Sequence, residues 1–120
     1  MVSYIQQKTN SHLQEVIYMA LSHLTSADFD QAVNAGDDVD FFATWCCPCK
    51  MLAPAVERMA EVHPEVHSYK VDIDEEMDLA SRFGVMSVPT LLYFKRGEIV
   101  NKTVGLISPA DLENAIAKSK

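Results

Sequence analysis

Cysteine is scarce in this chain, and the three present are too few and too unevenly placed to frame a secreted disulfide scaffold. Basic residues are also few. Ten Lys and Arg stand against 17 Asp and Glu, a formal charge of -7, which excludes the clustered cations that replace counterions around nucleic-acid phosphate. Long apolar runs are missing too. The run over 16–21 is too short to cross a bilayer, and no strongly basic segment precedes it to make a secretion signal. No arginine occurs before Arg58, whereas a mitochondrial-type leader is rich in them. There is no internal repeat and no Pro/Gly/Ser-rich linker, so the chain reads as one unit in a reducing compartment.

With 120 residues and 48% hydrophobic content, one compact domain is affordable, hiding roughly 60 to 70% of the unfolded surface. Residues 1–17 are polar and mixed and are expected to be a poorly ordered extension ahead of a domain over 18–120. Apolar patterning predicts a strand over 16–24 and a helix over 26–35, with Thr25 and Asp28 as its capping signature. A buried strand is expected over 39–45 and a helix over 48–62, where Leu52, Ala55, Val56, Met59 and Ala60 recur at helical spacing. A strand over 66–71 and a short helix over 76–82, capped by Asp74, come next. Residues 89–94 and 99–104 flank Lys95-Arg96-Gly97-Glu98 as a hairpin. Ser108, Pro109 and Asp111 then open a last helix that turns Leu112, Ala115 and Ile116 toward the sheet. This order implies an α/β fold, a mixed sheet of about five strands flanked by helices on both faces.

Chemistry concentrates in Trp45-Cys46-Cys47-Pro48-Cys49. A helix N-terminus presents unpaired N–H groups and partial positive charge, which favour a thiolate there, so Cys46 is expected to attack and Cys49 to lie within reach of it. Pro48 suits the first helical turn because its missing N–H has no helical partner there. A metal alternative exists on spacing, since Cys46, Cys49, His63 and His67 match a Cys2His2 pattern. Against it, the cysteines precede a long helix and Pro64 separates the histidines, which are expected to be solvated. Met51, Met59, Met77 and Met86 are read as core or rim packing.

From about Leu24 onward the chain resembles thioredoxin. The resemblance rests on Val39-Asp40-Phe41-Phe42-Ala43-Thr44-Trp45, Lys50-Met51, Pro54, Lys70-Val71-Asp72, Gly84-Val85, Val88-Pro89-Thr90 and Gly105. It implies a thioredoxin-like fold and a protein-disulfide reductase that needs no bound cofactor. Cys46 is then the attacking thiolate and Cys49 the resolving thiol, with Asp40 as proton acceptor and Lys70 as its charged neighbour. Trp45, Val88, a cis Pro89 and Gly105 are the implied substrate-binding residues. The implied partners are disulfide-containing proteins and a thioredoxin reductase, with neither nucleic acid nor membrane, in the cytoplasm. Two other uses of the fold are a scaffold module binding metal or forming an intermolecular disulfide, and an oxidant or isomerase.

Three features depart from the family. A third thiol, Cys47, stands between the other two. Asp37 and Asp38 occupy positions where the family has apolar strand residues, and the segment between Phe29 and Asp40 is about three residues short. From these, the active-site strand is expected to begin at about Val39, with Asp37 and Asp38 as a solvated end and Asp40 more solvated than usual.

Overall fold

The computed structural model describes residues 21–33 and 37–120, so the extension expected over 1–17 and the first residues of the 16–24 strand lie outside the described residues. Among the described residues five strands form one sheet: β1 (Leu21–His23), β2 (Asp37–Phe42), β3 (His67–Asp72), β4 (Thr90–Lys95) and β5 (Glu98–Val104). Their order is β1-β3-β2-β4-β5. The first three run parallel, while β4 and β5 are antiparallel additions. Arg96 and Gly97 both take positive φ (55° and 78°) in the two-residue turn of the β4–β5 hairpin, a twist that matches that of the strands.

Helices cover both faces: α1 (Phe29–Ala32), α2 (Cys47–Val62), α3 (Met77–Arg82) and α4 (Pro109–Lys118). Strand side chains alternate between faces, so β4 feeds both cores, with Leu91 and Tyr93 on one side and Leu92 and Phe94 on the other. On one side Leu52, Val56 and Met59 of α2 and Leu112, Ala115 and Ile116 of α4 close over Leu91 and Tyr93. On the other, Phe29, Leu79 and Val33 close over Val39, Phe41, Val71, Leu92 and Phe94. Ser108 caps α4 by accepting the Asp111 N–H at 3.1 Å. Among the described residues no helix is long and apolar enough to cross a membrane.

Three local expectations are corrected. The helix expected over 26–35 is reduced, in its described part, to Phe29–Ala32. Ser26 gives its hydroxyl to Glu76 (2.9 Å) and Asp78 (2.6 Å), and these long-range bonds hold 26–28 as a turn. Glu76, not Asp74, sits at the N-cap of α3.

The third correction concerns β2, which begins at Asp37 and not at Val39. Asp37 and Asp38 are only 2% and 3% exposed and are paired on both sides, Asp37 with His67 and Phe94, Asp38 with Ser68 and Tyr93. A central strand must satisfy its backbone N–H and C=O groups on both edges, and that pairing carries the two carboxyls inside with it. At its other end β2 stops at Phe42. Residues 43–45 turn toward α2 instead of extending the strand, with the Cys46 N–H bonded to Ala43 O at 3.2 Å.

Candidate redox site

Where β2 gives way to α2, Cys46 takes the N-cap position in an extended conformation (φ -86°, ψ 110°). Its Sγ accepts the Cys49 N–H at 3.2 Å, so the sulfur occupies the place a Ser or Asp oxygen usually fills at a helix start. Cys46 and Cys49 form a disulfide, with their Cα atoms 5.3 Å apart across the first helical turn. Both are nearly covered, at 3% and 5% exposure. Accessibility therefore does not separate an outer from an inner thiol; the N-cap hydrogen bond does. Cys47, the first residue of α2, is exposed and unbridged.

The chain returns to the sulfurs through the segment before β4. The Val88–Pro89 peptide is cis, and Val88 O lies 3.6 Å from Cys46 Sγ. Phe42, Ile73 and Val88 pack around Ala43, Cys46 and Cys49. Gly105 joins this group through its N–H, which donates to Pro89 O at 2.8 Å. Its φ of 86° is a conformation that a residue with a Cβ adopts only at a cost. Trp45 stays 64% exposed while its Nε1 donates to Asp74 Oδ2 at 2.9 Å, which is where the carboxylate expected to cap α3 is engaged. Met51, Met77 and Met86 are exposed and only Met59 of the four is core.

Asp40 is buried, contrary to the expectation of a more solvated carboxyl. Burial pushes it up to about 6 from the ordinary carboxylate range, and the charge of Lys70 opposes that rise. Lys70 faces Asp40 in register from β3, an interior strand, so it does not sit on a sheet edge. Its Nζ lies 4.9 Å above the Phe42 ring. Lys70 and Cys49 border one cleft of about 280 Å³, together with Phe42, Thr44 and Lys50.

Sequence reasoning missed Asp38. Burial drives its carboxyl up to about 7, a hydrogen bond with Ser68 opposes the shift, and the charges of Asp40 and Asp37 add to it. Asp38 Oδ1 and Asp40 Oδ1 have no hydrogen-bond partner among the described residues. The available signal was the spacing: Asp38 and Asp40 are two apart in one strand and must share a face. Asp37 points the other way and pairs with His67 at 3.2 Å.

The four residues of the metal pattern do not come together. Cys46 and Cys49 stand at the start of α2 and His63 closes it, so even Cys49 is roughly 20 Å of helix away from His63. His63, expected to be solvated, is instead partly buried and bridges Glu113 (2.6 Å) and Glu65 (3.2 Å).

Comparison with known proteins agrees with this geometry. The thioredoxin family profile matches residues 20–118. Thioredoxin-1 of Saccharomyces cerevisiae is 46% identical over 102 residues, covering 82% of this chain and 97% of that protein. Thioredoxin from Staphylococcus saprophyticus is 43% identical, covering 83% and 98%. Among solved structures, oxidised mitochondrial thioredoxin 3 from Saccharomyces cerevisiae superposes with a TM-score of 0.77 at 34% identity, covering 84% of this chain and 97% of that one.

Proposed function

The chain belongs to the thioredoxin family and is a thiol–disulfide oxidoreductase that reduces protein disulfides through Cys46 and Cys49, and we propose the following division of labour within its site. Cys46 thiolate attacks one sulfur of a substrate disulfide. That S–S bond breaks, one substrate sulfur leaves as a thiolate, and the other remains bonded to Cys46. Asp40 carboxylate takes the proton of Cys49, whose thiolate then attacks Cys46 Sγ. The second substrate sulfur departs, the Cys46–Cys49 disulfide closes, and two electrons have passed to the substrate.

The observation that carries the assignment is the 3.2 Å bond from the Cys49 N–H to Cys46 Sγ at the start of a 16-residue helix. Charge on Cys46 is stabilised by that donor and by the helix dipole, whereas Cys49 lies one turn inside. Lys70 holds Asp40 closer to the ionised form that a base requires. Val88, the cis Pro89, Gly105 and the exposed Trp45 form the docking surface for an extended substrate segment, with backbone groups supplying hydrogen bonds. A thioredoxin reductase returns the pair to the dithiol, and the cytoplasm is the compartment that fits a chain kept reduced. The chemistry resides in the protein's own sulfurs and needs no bound cofactor.

Trapping tests the assignment. Cys46→Ser forms no adduct with a disulfide substrate, while Cys47→Gly combined with Cys49→Ser accumulates a mixed disulfide through Cys46, read by mass after digestion. Turnover of insulin at the parent rate by that double variant, or an adduct mapped elsewhere, overturns it.

A further inference from the structure

Two carboxyls, not one, occupy the face of β2 that looks toward α2 and α4. Asp38 and Asp40 are alternate residues of the strand, about 7 Å apart along it, and each is 3% exposed or less. At that separation and an effective dielectric near 20, one unit charge raises the proton affinity of the other site more than tenfold, so the two titrate as a pair.

Their surroundings differ. Across β3, Asp40 stands in register with Lys70, whose charge opposes the rise of its carboxyl, whereas Asp38 stands in register with Ser68, which hydrogen-bonds it. Across β4, Asp40 meets Leu91 and Asp38 meets Tyr93, whose phenol is held by Thr103 at 3.1 Å. Cys49 comes from α2, and His63 at the end of that helix exerts a weak attraction on Asp38. Ser119 and Lys120, after α4, help line a cavity of about 20 Å³ beside Asp38 and Tyr93, the size of one water molecule. The Lys120 ammonium is engaged with Glu65 at 2.6 Å, and the Asp37 carboxylate with His67. The Lys70 charge therefore favours the negative charge on Asp40 and leaves the remaining proton favoured on Asp38.

We propose that Asp38 is a positioning residue for the resolving step, holding the second proton of a coupled carboxyl pair so that its loss with rising pH makes Asp40 a stronger acceptor for the Cys49 proton. This rests on the reading of Asp40 as that acceptor. Deepening the site in this way gives the protein two ionisations where a single buried acid has one. Burial and the charge on Asp40 both act to keep Asp38 protonated toward neutral pH.

The test uses the full chain carrying Cys47→Gly, mixed in its reduced form with an aromatic disulfide. Release of the first aromatic thiol reports attack by Cys46, and release of the second reports resolution by Cys49. Across about pH 5 to 9 the parent's resolution rate rises in two steps, and in Asp38→Asn the upper step is lost, lowering the rate several-fold on the alkaline side while attack is unchanged. Asp38→Leu repeats the test if the asparagine variant folds poorly. Carbon NMR of the side-chain carboxyls supplies the reciprocal reading: in Asp40→Asn, Asp38 titrates at least about one pH unit lower than in the parent. Superimposable resolution profiles for parent and Asp38 variants, or an unmoved Asp38 titration in Asp40→Asn, overturn the proposal. If Asp40→Asn resolves at the parent rate, the acceptor reading itself falls, and the proposed role of Asp38 falls with it even where the NMR shows the carboxyls coupled.

Discussion

Asp38→Asn removes a buried ionisation from the middle of the sheet, and its effect on stability is set by pH. In the folded chain the Asp38 carboxyl is raised from 3.8 to about 7. A raised acid means that the folded state holds a proton the unfolded chain has already lost. The stability associated with the neutral form is therefore complete below the unfolded value and is lost as pH climbs toward the folded value. A shift of about three units at 1.36 kcal/mol each makes that loss about 4 kcal/mol, a large share of the 5 to 15 typical of a domain. Asparagine is close in size, keeps Ser68 as a hydrogen-bond partner and cannot titrate. Unfolding free energies from urea titrations at intervals from about pH 4 to pH 8 should thus show the variant gaining on the parent by about 4 kcal/mol across the range. Contributions from Asp37 and most of that from Asp40 are common to both proteins and cancel in the difference. Parallel curves would refute the reasoning, because they would mean that Asp38 stays solvated or unprotonated in the folded state.

Lys70→Met should raise the Asp40 carboxyl further above about 6, since the lysine charge is what opposes its rise, and slow resolution near neutral pH; carboxyl NMR and the second thiol release check both. Cys47→Gly should leave insulin reduction within a few-fold of the parent while lowering the yield of glutathione adducts and covalent dimers under oxidant, because the exposed Cys47 is not part of the bridge. Gly105→Ala should cost about 1 to 2 kcal/mol in unfolding measurements, as an L residue is strained at φ 86° although no atom crowds the added Cβ.

Local signals were sufficient for much of this protein. The Cys46-x-x-Cys49 spacing with Pro48 in the first turn, the Ser108 cap and the Arg96-Gly97 turn are each written in a few neighbouring residues, because capping and turn chemistry act over three or four positions. Helical spacing likewise marked the residues that α2 and α4 bring to one of the two cores. What tertiary structure decided was which polar groups go inside and whom they meet. By charge alone Asp37 and Asp38 belong at a wet strand end, yet the pairing of β2 between β3 and β4 holds them in the sheet, since backbone groups on both edges of a central strand must be bonded. Asp74 was a plausible local cap until Trp45, 29 positions away, claimed its carboxylate, and Ser26 turned the chain by reaching Glu76, 50 positions away. The approach of Val88 to Cys46 spans 42 positions. Contacts at such separations carry no local periodicity, so they come into being only when the sheet closes and brings polar groups that are losing water within reach of one another.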